Sequence, residues 1–249
     1  MIEVRNLSKS FDDKLVLNKI NAKFEKGKTN LVIGQSGSGK TVLLKCLIGL
    51  YEPDEGDILF DNVPVNEMNS NTKKQIRQAL GMVFQGGALF DTMNIEENVM
   101  FPLSMFTKMN KSDKLERVNF CLKRVNLENV NHLTPSELSG GMKKRVAIAR
   151  AIAMNPKYLF CDEPNSGLDP KTAVVIDSLI KEITEEYNIT TIINTHDMNS
   201  VLELGDTVNF IYKGQNWWTG NKNNIIQADN KELKDLVYAS KILRDFVKK

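Results

Sequence analysis

Three stretches of this 249-residue chain have residue types and spacing suited to phosphate chemistry. Gly34-Gln35-Ser36-Gly37-Ser38-Gly39-Lys40-Thr41 fits the spacing G-x-x-x-x-G-K-[S/T]. Its glycines let the backbone curl so that N–H groups face phosphate oxygens. The helix read from Val42 to Leu50 adds the positive end of its dipole. Lys40 is expected to reach the β- and γ-phosphates, and Thr41 to offer its hydroxyl to Mg²⁺. Tyr158-Leu159-Phe160-Cys161-Asp162-Glu163 is an apolar run that delivers Asp162 to a Mg²⁺ shell and Glu163 to an attacking water as general base. Taken alone, the same two carboxylates also fit a strand end before Pro164. In Leu138-Ser139-Gly140-Gly141-Met142, Ser139 can cap a helix while the two glycines leave its first N–H groups uncovered, a second anion site far along the chain from the first. As an isolated tetrapeptide it reads equally as a plain helix cap.

Strands must carry these groups to one place. Continuous apolar runs occur at Leu31-Val32-Ile33, Gly81-Met82-Val83-Phe84, Tyr158-Leu159-Phe160-Cys161 and Thr191-Ile192-Ile193. Such runs suit parallel strands covered on both faces. Each ends just before a polar or glycine-rich element: Gly34 to Thr41, Gln85, Asp162-Glu163 and His196. Ligands of open α/β sheets bind beyond the carboxyl ends of strands, so these four elements are expected to converge. Ile20, Ala22 and Phe24 alternate with polar residues, which marks an N-terminal antiparallel part. From about Asp91 to Ala153 no strand run is evident. Leu115, Val118, Leu122 and Val125 form one helical stripe with Ser112 as its N-cap, and the stretch reads as an inserted helical subdomain. Phe210-Ile211-Tyr212, Lys213-Gly214 and Trp217-Trp218 read as a late hairpin, and Lys231 to Val247 as a closing helix.

Composition narrows the classes. Lys+Arg (33) nearly balance Asp+Glu (31), so no broad basic field calls for nucleic acid. The short clusters Lys73-Lys74, Lys143-Lys144-Arg145 and Lys248-Lys249 read as solvated helix faces. Cys46, Cys121 and Cys161 lack metal-ligand spacing and read as thiols of a reducing compartment, Cys46 and Cys161 as buried ones. The first residues are no signal peptide. No apolar stretch approaches the roughly 20 residues that cross a bilayer, so a membrane role requires a spanning partner.

With these motifs in this order the chain resembles the ABC ATPases over nearly its whole length. The resemblance adds a Q-loop glutamine, Gln85, a D-loop, Ser166-Gly167-Leu168-Asp169, and a switch histidine, His196. It implies an α/β fold: a P-loop NTPase (RecA-like) core with a mixed sheet (residues 1–90, with its antiparallel β part, and 154–225), an inserted α-helical signature subdomain (91–153) and a C-terminal helical tail (226–249). It implies a homodimer in which each ATP touches Gly34, Ser36, Gly37, Ser38, Gly39, Lys40, Thr41 and Val42 of one copy and Ser139, Gly140 and Gly141 of the other. His196 would hold the γ-phosphate and water, Gln85 would contact Mg²⁺ and water, Asp169 would link the two sites, and Phe11 would stack on adenine. Val42 departs from the second hydroxyl residue of many relatives, which removes a side-chain contact to the α-phosphate.

Phe84 to Val99, with Phe101-Pro102-Leu103 and Met142 after the signature, is similar to the ATPases of Mla-type (MCE-associated) phospholipid transporters. That likeness implies a place on the cytoplasmic face of the inner membrane, integral permease subunits docking near the Q-loop, and an MCE-type substrate-binding protein. An apolar groove with Ala88, Leu89, Phe90 and Met93 would accept a permease helix. The alternatives are an ABC ATPase of another transporter or of a cell-division or cluster-assembly complex. DNA-repair and chromosome ABC proteins need coiled-coil arms or zinc modules, and translation-associated ones need two motif sets. This chain has neither heptads nor metal-spaced cysteines, and one motif set.

Overall fold

Apolar runs set the strands, and the computed structural model places them in two compact units. It describes residues 1–12 and 14–239. The elements of the first half are β1 (Ile2–Phe11), β2 (Lys14–Phe24), β3 (Thr29–Ile33), α1 (Lys40–Leu47), β4 (Glu55–Phe60), β5 (Val63–Pro64), α2 (Ser70–Gln78), β6 (Leu80–Val83), α3 (Ile95–Phe106) and α4 (Lys111–Arg124). The second half adds α5 (Gly140–Ile152), β7 (Tyr158–Asp162), α6 (Pro170–Glu186), β8 (Thr190–Thr195), α7 (Met198–Leu204), β9 (Thr207–Tyr212), β10 (Gln215–Gly220) and α8 (Lys231–Ala239).

One unit takes its described residues from 1–69 and 190–249. It holds an antiparallel sheet in the order β2-β1-β4-β5 and a mixed set of strands in the order β10-β9-β3-β8. Every residue of β3 is buried, and β3 runs parallel to both β8 and β9. The β9–β10 hairpin turns at Lys213 (φ 47°) and Gly214 (φ 75°), the left-handed pair of a tight two-residue turn. The helix after β3 is shorter than its sequence suggested. It stops at Leu47 because left-handed Gly49 (φ 74°) donates back to Cys46 O, while Leu50 N donates to Lys45 O. The closing helix is seen as α8, and the remainder of the stretch read as helix lies outside the described residues.

The other unit is Ser70–Ile189. It pairs β6 with β7 in parallel, Val83 opposite Cys161, and surrounds them with helices. No strand lies between Val83 and Tyr158. α5 is the central helix: Val146, Ala147, Ile148 and Ala149 are all fully buried. The helix of the Leu115 stripe starts two residues earlier than Ser112 allows. Its cap is Asn110, in extended backbone, whose side chain accepts from Asp113 N. Helix α2 carries no apolar stripe and β5 is only a short edge, whereas β4 ends in the buried apolar run Ile58-Leu59-Phe60, a strand signal that the sequence reading missed.

Asn98, fully buried on α3, holds the turn in front of that helix. Its side-chain oxygen accepts from Phe90 N (2.8 Å), and its amide donates to Phe90 O (3.1 Å), Met93 O (3.1 Å) and Asn94 O (3.0 Å). A capping box between Asn94 and Glu97 fixes the helix start beside it. Asn98→Leu strips both polar groups of Phe90 of their partner, so urea denaturation should show a loss of about 3 kcal/mol. A loss below about 1 kcal/mol would mean that this turn holds itself.

Candidate nucleotide-binding site

In the first unit the loop after β3 is shaped by glycines where a side chain has no room. Gly34 (φ 152°) abuts the Ile211 carbonyl, and a Cβ at Gly39 (φ 109°) would stand 2.7 Å from Leu17 Cδ2. Lys40 is 8% exposed, and its ammonium donates to Gly34 O (2.8 Å) and Gln35 O (3.1 Å). That pins the carbonyls inward. Ser38 donates its N–H to Gln35 O, and Ser38 Oγ is buried with no hydrogen-bond partner among the described residues. Gly39 caps α1 in left-handed conformation with no side-chain cap bond, and no acidic residue sits in the first turn. A phosphate fits this cradle: it supplies acceptors to Ser38 Oγ and to a helix start whose glycine cap offers no side-chain acceptor. Ser36 and Gly37 lie exposed on the loop, Thr41 is exposed at the helix start, and Val42 follows half-buried.

His196 leaves β8 beside this loop. Ile33 and Thr195 are register partners on adjacent parallel strands, so Gly34 and His196 are the next residues out of the sheet. His196 is exposed, and Asp197 behind it caps α7 through Asn199 N (2.9 Å). Phe11 ends β1, 36% exposed, with the Tyr51 ring 5.1 Å away edge-on and the Lys9 ammonium 5.6 Å from its centroid.

In the second unit the same logic joins Gln85 to Asp162 and Glu163. Val83 pairs with Cys161, so both elements emerge at one end of β6 and β7. Gln85 Nε2 lies 3.5 Å from Ser166 Oγ. Glu163 is non-glycine yet left-handed (φ 49°). Cys161, behind the carboxylates, has its thiol pushed far up by burial and is no nucleophile at neutral pH.

Ser139 is the N-cap of α5, its hydroxyl accepting from Met142 N (3.2 Å). Gly141 has a steric reason of its own: a Cβ there would stand 2.6 Å from Thr172 Cγ2. Thr172 in turn donates its hydroxyl to Asp169, and both Lys171 N and Thr172 N donate to the same carboxylate. The Thr172 bonds hold the Asp169 carboxyl below its ordinary range. Ser139, Gly141 and Asp169 thus belong to one packed corner, while Gly140 stays exposed at its tip.

One reading of the sequence needs correcting. Lys144 is no solvated face: it is 6% exposed and donates to the carbonyls of Gln85 and Glu163. Its position in a basic run masked it, because residues 143 to 145 point in different directions around a helix whose other sides are buried. Burial pulls its ammonium below the usual lysine range, and Glu163 opposes that shift. Arg150 was also overlooked. It donates to Gly87 O and Ala88 O, both at 2.8 Å.

The ABC transporter family matches residues 17–166 of the chain. The methionine import ATP-binding protein MetN of Clostridium tetani (strain Massachusetts / E88) is 42% identical over 211 residues, covering 85% of this chain but only 66% of that protein. The intermembrane phospholipid transport system ATP-binding protein MlaF of Haemophilus influenzae is 40% identical over 206 residues, 83% of this chain and 78% of that protein. Among solved structures, the dimeric post-hydrolysis state of the ATP-binding cassette MJ0796, bound to ADP and Pi, superposes with a TM-score of 0.80 at 31% identity, covering 89% of this chain and 99% of that one. With the loop, strand ends and helix caps described above, the chain is therefore built on the P-loop NTPase fold and belongs to the ABC transporter family, as an ATP-binding subunit of the ABC ATPase type.

Proposed function

We propose that the chain hydrolyses ATP as one half of a homodimer and that the closed dimer drives phospholipid movement across a cell envelope. The glycine-shaped loop with its buried, partnerless Ser38 hydroxyl supports the phosphate site most directly. Lys40 would exchange its two loop carbonyls for β- and γ-phosphate oxygens. The backbone of Gly34 to Val42 would hold the phosphates, and Phe11, with Tyr51 behind it, would take the adenine face. Thr41, Asp162 and Gln85 are the oxygen donors suited to Mg²⁺, which when bound neutralises phosphate charge. Glu163 would accept a proton from the attacking water, and His196 would hold that water and the γ-phosphate. Ser139, Gly140 and Gly141 would meet the γ-phosphate of the nucleotide held by the second copy, with Asp169 linking the paired sites. The dimeric MJ0796 structure supports the pairing. Loss of the γ-phosphate would release it, so ATP selects the closed state and hydrolysis resets it.

The phospholipid reading is supported by the MlaF relative, of which the chain covers 78%. On this reading the chain would work on the cytoplasmic face of an inner membrane beneath a permease, with an MCE-type protein in the assembly. Among the described residues no helix is long and apolar enough to cross a membrane, so the spanning part would come from the partner. Phe90, 40% exposed and packed on Phe101 (4.8 Å), offers the permease an apolar contact on the turn that Asn98 holds. The MetN relative, at 42% identity, favours a second reading, import of a small solute such as methionine.

Glu163→Gln should keep ATP affinity within about threefold, cut turnover by about a hundredfold or more and accumulate an ATP-bound dimer on size exclusion. Normal turnover would remove Glu163 from the base role. Purification of the tagged chain from its own membranes should bring down a multispan permease, an MCE-type protein and phospholipid. A permease with an amino-acid-binding protein instead would favour the import reading. Phe90→Asp should weaken that co-purification by at least about tenfold while the isolated chain keeps its basal ATPase, an effect of burying an unpaired charge in the contact. Undiminished co-purification would place the permease elsewhere.

A further inference from the structure

Lys144 sits on α5, the helix that Ser139 caps, yet its ammonium points away from solvent. A buried ammonium is costly unless its donors are used, and a methionine of similar length would fill the same space without that cost. What the lysine supplies is donors. They go to two main-chain carbonyls, that of Gln85 and, at 3.4 Å, that of Glu163. Gln85 is the second residue past β6, and Glu163 the first past β7. Glu163 is held left-handed, a conformation unfavourable for a residue with a Cβ and kept only where surroundings over-determine it. Lys144 is one of those surroundings. Arg150, further along the same helix, fixes Gly87 O and Ala88 O, so the segment after β6 is tied to α5 at successive points.

We infer that Lys144 is a positioning residue for ATP hydrolysis: its ammonium makes α5 set the backbone, and through it the side chain, of both Gln85 and Glu163. A displacement of α5 or of the Gln85 loop then reaches the Glu163 carbonyl through one side chain. This rests on the reading of Glu163 as the base.

The test uses the full chain and compares Lys144→Met, which removes the donors at similar length, with Lys144→Gln, which keeps a neutral NH₂ donor group, on the native and the Glu163→Gln backgrounds. Steady-state and single-turnover rates are measured with the Kd of a fluorescent ATP analogue. Lys144→Met should lower kcat at least about tenfold with KM and Kd changed less than about twofold, and Lys144→Gln should recover at least about threefold of that loss. On the Glu163→Gln background Lys144→Met should cost at least about threefold less than on the native one, because the share of the effect that runs through Glu163 is already lost. A kcat within twofold of native, or an equal loss on both backgrounds, would overturn the proposal. If Lys144→Met does not fold, an equal loss for Lys144→Gln on both backgrounds decides in the same way. Normal turnover of Glu163→Gln alone would overturn the base assignment beneath it.

Discussion

A loop that turns its N–H groups toward an anion leaves its carbonyls facing the protein, and those carbonyls need donors. This chain meets that constraint with buried cations in both of its compact units. Lys40 closes on Gly34 O and Gln35 O after β3; Lys144 closes on Gln85 O and Glu163 O after β6 and β7. Desolvating an ammonium is unfavourable, and here main-chain acceptors help to offset it. The difference between the two lysines lies in what replaces the carbonyls. Lys40 has phosphate oxygens to turn to at its loop; Lys144, on the reading given above, keeps its carbonyls throughout.

Helix starts supply the other half of the chemistry. α1 begins at a glycine with no capping side chain, whereas α5 begins at Ser139, whose hydroxyl already serves Met142 N. The first is open to an anion; the second gives up a cap if its serine turns to one. Gly141 adds a mechanical constraint, because its missing side chain is what lets Thr172 and the Asp169 cap pack against α5. The serine-glycine corner and the aspartate cap of α6 are therefore one rigid feature, suited to meeting a second surface as a unit.

Much of this was legible in the chain itself. The glycine-lysine loop, the apolar runs and the serine-glycine cap have local causes: left-handed backbone, double-sided burial and an orphaned helix start. What the sequence hid was non-local. Lys144 looked like any member of a basic run, because its burial depends on the segments after β6 and β7 coming to lie over α5. Asn110 outcompeted Ser112 as a cap because the extended residue falls where the chain enters the helix, which periodicity places only to within a few residues. Helix α2 lacked an apolar signature; β4 had one in Ile58-Leu59-Phe60, but its place in the sheet is set by its pairing with β1.

The clamp itself, nucleotide held between two copies, is tested most directly by a structure of the Glu163→Gln variant with ATP and Mg²⁺. The expected result is two nucleotides per dimer, each with its β- and γ-phosphates in the Gly34 to Thr41 cradle of one copy and its γ-phosphate within hydrogen-bond distance of Ser139 of the second. Each triphosphate enclosed by a single copy, with both Ser139 hydroxyls still bonded to Met142 N, would contradict it.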